Sequence, residues 1–103
     1  MEMDYYQTKA KSTCKDSAYN YTYLIMNLCA EAGEVASKYA KHVRDGGYIA
    51  KEDLAKELGD VLWQTAVLAD WLGFKLSEVA DLNLAKLASR QQRGKIGGSG
   101  DNR

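Results

Sequence analysis

Apolar residues recur three and four positions apart along most of this chain, and strand-like alternation is scarce. That spacing predicts helices. The first is short, from Asp4 to Thr13, and a polar break around Ser12 to Asp16 follows. The second runs from Tyr19 to Arg44 and is ended by Asp45-Gly46-Gly47, because glycine supplies the left-handed conformation that closes a helix. The third spans Lys51 to Leu72 and stops at Gly73. Ser77 reads as the N-cap of the fourth, Glu78 to Gln91. The expected fold class is all-α, a four-helix-type bundle over residues 1–93, followed by a Gly-rich tail at 94–103.

The third segment is unusual. Leu54, Leu58, Val61, Leu62, Leu68 and Leu72 form one apolar arc, and Trp63, Val67 and Trp71 occupy much of the remaining surface. A helix apolar nearly all round is buried on all sides. A chain of 103 residues has little core to bury it in, so the pattern predicts an obligate oligomer, a homodimer or homotetramer.

Composition narrows the partners. Lys plus Arg and Asp plus Glu balance at 14 each, which argues against binding a nucleic-acid polymer. No run approaches the roughly 18–20 apolar residues of a membrane span, and the N-terminus carries no apolar signal core. Cys14 and Cys29 show no metal or redox spacing. A soluble, cytoplasmic protein without membrane association is expected. The sequence holds no Walker-type phosphate loop, no Ser-His-Asp or Cys-His set and no zinc-finger spacing.

The informative residues are Glu31, Glu34, Glu57 and Asp60. Each pair is spaced i, i+3 and shares a helix face. At about 100° per residue, Leu24, Leu28, Glu31 and Val35 fall in one sector, so Glu31 interrupts an apolar stripe. Glu57 lies close in angle to Val61 and Leu68, with Asp60 at the sector's edge. A carboxylate so placed is protonated, paired or metal-bound. Four acids from two facing helices repel unless a cation sits between them, and an all-oxygen site selects Mg²⁺ or Mn²⁺. The alternative is a lattice of salt bridges using Lys38 and Lys56.

The stretches LCAEAGEV at 28–35 and ELGDVL at 57–62, with RDGG in the loop between them, resemble the MazG-like nucleotide pyrophosphohydrolases of the all-α NTP pyrophosphatase superfamily. The later segment NLAKLASRQQRGKIGGSGDNR resembles the C-terminal part of short phage and bacterial members. The resemblance covers the chain from about Tyr19 onward. One departure is Ala30, where many relatives carry a further Glu.

The resemblance implies cleavage of an NTP or dNTP between the α- and β-phosphates, with two or more Mg²⁺ ions per site and Mn²⁺ able to substitute. Glu31, Glu34, Glu57 and Asp60 are the expected ligands, with Glu34 the preferred general base and Glu31 beside it. Phosphate donors are expected from the fourth helix, where Asn83, Lys86 and Arg90 share a face. Arg93 and Arg103 would contribute from the tail, folded over the nucleotide as a lid. Asn20 and Asn27 share the face of Glu31 and, with Tyr23 and Gln7, are candidates for base or sugar contacts. A deoxypurine triphosphate is the favoured substrate. A dUTP, phosphoribosyl-ATP or damaged-nucleotide hydrolase is the alternative within the superfamily, and a non-catalytic helical interaction module the alternative outside it. A di-iron bundle is disfavoured, because such sites use Glu-x-x-His motifs.

Overall fold

Asn20 fixes where the longest helix begins. Its Oδ1 accepts the Tyr23 N–H at 2.8 Å and its Nδ2 donates to the Ser17 carbonyl at 3.1 Å, the arrangement of an N-cap. The computed structural model describes residues 1–101. Its regular elements are α1 (Met3–Ser12), a 3-10 turn (Asp16–Ala18), α2 (Tyr21–Asp45), α3 (Lys51–Trp71) and α4 (Leu76–Gln92). Among the described residues there is no strand. No described helix is long and apolar enough to cross a membrane.

The expected terminators act as read. Gly46 takes φ +72° and its N–H reaches the His42 carbonyl at 2.8 Å. Gly73 takes φ +86°, and Phe74 N–H returns to the Ala69 carbonyl at 2.8 Å, satisfying the end of α3.

The start of α4 differs from the sequence reading. Its N-cap is Lys75, and Ser77 lies inside the first turn. The cause is tertiary. Asp4 of α1 accepts the Ser77 N–H at 2.9 Å and its hydroxyl at 2.7 Å. The Gln7 Oε1 accepts the Leu76 N–H at 2.9 Å, and Glu78 returns to the Lys75 N–H at 3.0 Å. The open donors of this helix end are therefore met largely from another helix, and Ser77 is not needed as a cap.

Gln7 also donates from Nε2 to the carbonyls of Ala66 and Phe74, both at 3.0 Å. It is a buried clasp of α1, α3 and α4, which corrects its reading as a base contact. Nearby, Asp70 accepts from Tyr19 Oη and pairs with Lys11 at 2.8 Å.

The core is small and lies at this junction. Ala10, Leu24, Ala66, Val67 and Leu76 are buried, with Tyr6, Cys14, Tyr19, Trp63 and Leu68 packed on them. α2 and α3 form an antiparallel hairpin, shown by the Tyr21–Trp71 ring contact at 5.0 Å at one end and the Lys38–Glu57 pair further along. Away from the core the hairpin stays open: Leu58 is 58% exposed, and Leu62, Tyr39 and Val43 are exposed too. The Cα radius of gyration is 16.3 Å, against about 13 Å for a compact domain of this length. The apolar arc of the third helix is thus only partly covered within one chain.

The described tail residues fold back on α4. Arg90 donates to the carbonyls of Gly100 and Asp101 at 3.2 and 2.8 Å, and Lys86 pairs with the Asp101 carboxylate at 3.1 Å. Arg103 lies outside the described residues.

Candidate active site

The i, i+3 spacing turns each acidic pair toward the groove of the α2–α3 hairpin. Carboxylate oxygens of Glu31, Glu57 and Asp60 lie within 4.8 Å of one another. Glu34 stands one turn along α2, outside this closest set and more exposed. Its charge still reaches Glu31. Burial, then the charges of Asp60, Glu57 and Glu34 in that order, push the Glu31 carboxyl above the ordinary glutamate range, against a lowering hydrogen bond from Asn27.

The salt-bridge alternative accounts for little of this. Lys38 reaches across the hairpin to Glu57 at 3.7 Å rather than back to Glu34. Among the described residues this is the one ion pair to the four acids, and it is partly exposed. Three close carboxylates set against one loosely held cation leave a local excess of negative charge. An all-oxygen donor set of this kind fits Mg²⁺ or Mn²⁺, whose remaining positions take water and phosphate oxygens. His42, the sole histidine, is not among the clustered groups.

Two cavities flank the acids, one on each side. On the loop side a hollow of about 330 Å³ is lined by Glu34, Lys38, Lys41, His42, Tyr48 and Glu57, among others. Toward the core a hollow of about 280 Å³ is lined by Tyr23, Asn27, Glu31, Asp60, Trp63 and Gln64. The acids thus lie between a region of mixed charge, where Lys38 and Lys41 stand among Asp45 and Asp53, and a region bearing aromatic rings and carboxamides.

The expected residues fall into three groups. Asn27 and Tyr23 stand beside the acids. Asn20 belongs to the same stretch, but its carboxamide is engaged as the α2 cap. Asn83, Lys86 and Arg90 lie on α4, which lines neither cavity. Arg90 is buried at 4% exposure and, with Lys86, holds the tail. Arg93 donates from Nε to Ser89 Oγ at 3.1 Å.

Sequence reading passed over Trp63, Gln64, Lys41 and His42. Gln64 had a legible signal, since it follows Asp60 by four residues and shares its face. Lys41 and His42 lie two turns beyond Glu34 on α2, where polar residues look like solvated surface. Their place in a cavity depends on where the loop and Tyr48 return.

The model of the MazG nucleotide pyrophosphohydrolase domain matches residues 20–94. This segment runs from the Asn20 cap to just beyond α4 and includes all four acids and both cavity linings. The chain is also similar to the Gene 37 protein of Mycobacterium phage L5, at 46% identity over 114 aligned positions covering the whole of both chains. No solved structure gives a significant match. With most of its length matched, its helices in place and its acids gathered in the α2–α3 groove, the chain belongs to the MazG nucleotide pyrophosphohydrolase family.

Proposed function

We propose that this protein hydrolyses a nucleoside triphosphate, a deoxypurine triphosphate foremost, between the α- and β-phosphates. The observation that supports the reading is the group formed by Glu31, Glu57 and Asp60, left with excess negative charge in the α2–α3 groove. These residues, with Glu34, would hold two or more Mg²⁺ or Mn²⁺ ions. Bound divalent ions would let an acidic groove receive a polyanion and offset the charge that builds in the transition state.

The chain's own groups supply the rest. Glu34, at the edge of the acids and on the wall of the loop-side cavity, takes the proton from the attacking water. The water oxygen bonds to the α-phosphorus, the α–β bridging bond breaks, and pyrophosphate leaves with the bond's electron pair. Asn27 stands beside Glu31 on the wall of the core-side cavity, where it would steady that carboxylate. Lys38, Lys41 and His42 border the groove where the departing phosphates would emerge. Asn83, Arg93 and Arg103 act on phosphate from a neighbouring copy of the chain in a dimer or tetramer, while Lys86 and Arg90 hold the tail. The open apolar surface of α3 and the large radius of gyration support that assembly.

The test is pyrophosphate release from each of the eight common NTPs and dNTPs, with Mg²⁺, with Mn²⁺ and with chelator, beside Glu34→Gln. Metal-dependent release lost in the variant supports the reaction and ranks the bases. No release from any of the eight overturns the substrate class. Sedimentation of the protein as a monomer at micromolar concentration overturns the assembly.

A further inference from the structure

Lys38 stands four residues after Glu34 on α2, the spacing at which a helical Glu–Lys pair forms most readily. Its ammonium instead crosses the groove to Glu57 of α3, at 3.7 Å. Negative charge is denser there, because Glu57 belongs to the three close carboxylates and Glu34 does not. The pair is loose. Its length exceeds hydrogen-bond reach, and the lysine side chain is 39% exposed. At the α1–α3–α4 junction, by contrast, Lys11 closes on Asp70 at 2.8 Å and Tyr19 donates to the same carboxylate. Lys11 is a fixed structural partner, whereas Lys38 is a counter-ion drawn in by the local field.

A lysine suits that role. Its ammonium is a compact charge on a flexible four-carbon stem, whereas an arginine would grip a carboxylate through two parallel bonds. Lys38 also has a second place to stand, because it lines the loop-side cavity with Glu34, Lys41 and His42. Asp45, on the same wall, is already paired with Arg44 at 2.7 Å. With a divalent cation on the acids, the ammonium would be repelled from Glu57, since like charges at such range oppose each other strongly.

We propose that Lys38 is an exchangeable counter-ion. It offsets part of the acidic charge in the metal-free chain, yields Glu57 when the divalent cation arrives, and then presents its ammonium to the substrate's phosphates over the loop-side cavity. Lys38 therefore acts on the two ligands with opposite sign, weakening the hold on metal and strengthening the hold on polyphosphate. It also sets an order, because the ammonium is free for phosphate only after metal has loaded. The inference rests on the metal and triphosphate reading above and deepens it by coupling the two ligands through one side chain.

The experiment compares wild type with Lys38→Met, Lys38→Arg and Lys41→Met. Calorimetry measures the affinity of each metal-free protein for Mn²⁺, then the affinity of each Mg²⁺-loaded protein for pyrophosphate, added as its magnesium complex in excess Mg²⁺. Methionine keeps the stem and the helix propensity, so Lys38→Met is expected to melt near the wild-type temperature. It should bind Mn²⁺ about 10-fold more tightly and pyrophosphate about 10-fold less tightly, with the metal gain shrinking at high salt. Lys38→Arg retains the charge and should gain no metal affinity. Lys41→Met removes a cation from the same cavity and should leave Mn²⁺ binding near wild type. Unchanged Mn²⁺ affinity in Lys38→Met, or an equal gain in Lys41→Met, overturns the counter-ion role. Unchanged pyrophosphate binding overturns the transfer to phosphate. A Lys38→Met protein that loses both affinities, or fails to fold, makes Lys38 a structural residue and overturns the proposal as well. A wild type that takes up no Mn²⁺ overturns the metal reading and this inference with it; a wild type that binds Mn²⁺ no differently from Lys38→Met sinks this inference alone.

Discussion

Two polar clusters of this small protein use the same side chains to opposite ends. At the α1–α3–α4 junction, Gln7 makes three hydrogen bonds, Asp4 closes the start of α4, and Asp70 is held by Tyr19 and Lys11. In the α2–α3 groove, Gln64 Oε1 and His42 Nδ1 are buried without partners, and Glu31 stands among three other acids. The first cluster is complete as a folded chain and works as a staple. The second is left with concentrated negative charge and unmet polar groups, which the proposed binding of metal and nucleotide would offset.

The sharpest way to separate the two is to neutralise one acid in each. Glu34→Gln is expected to lower turnover by about 10²–10⁴-fold while the protein melts normally; Asp4→Asn should leave turnover near wild type and lower the melting temperature. Parallel pyrophosphate assays and melts decide it, and an unstable Glu34→Gln protein would make that acid a structural residue. Cation binding comes next. Mg²⁺ or Mn²⁺ at about 100 times its Kd should stabilise the fold by about 2.7 kcal/mol. Calorimetry should show that gain disappearing in Asp60→Asn and surviving in Asp70→Asn.

The carboxamides offer a comparison of similar size. Gln7→Leu strands the Leu76 N–H and removes bonds to two carbonyls, so a loss of about 2–3 kcal/mol is expected in urea unfolding. An unaffected midpoint would deny Gln7 its role as a clasp.

The smallest effect is in pH. Hydrogen bonds from Ser77, its side chain first and then its backbone, hold the Asp4 carboxyl below the ordinary range. At Asp70 burial pushes upward but is outweighed by the bonds from Lys11 and Tyr19, so this carboxyl also titrates low. A depressed folded value means that the stabilisation is present above the unfolded value of about 4 and fades as pH falls through the folded one. Melting temperature should therefore drop below about pH 4, less steeply in Asp70→Asn.

Much of the site was legible because helical spacing is a local property. Glu31 in an apolar stripe, and Glu57 in register with Val61 and Leu68, announced an interior role before any packing was known. The ends of α2 and α3 were legible for the same reason, since Gly46 and Gly73 act within one turn. The beginning of α4 was not. Its donors are satisfied by Asp4 and Gln7, some seventy positions away in sequence, and no local cap signal records such a partner. Nor could spacing show that Lys86 and Arg90, well placed on one face of α4, turn to the tail within a single chain.

What the sequence alone determined is the helical class, the four segments, the acidic pairs and the family they resemble, all of which follow from periodicity within single helices. Only the tertiary structure decided which three acids close to within 4.8 Å, which residues line the hollow on each flank of them, and which of two buried glutamines is satisfied. Those outcomes depend on how antiparallel helices approach and on which groups are left without a partner when they do. A one-dimensional pattern does not record the distances that settle either point.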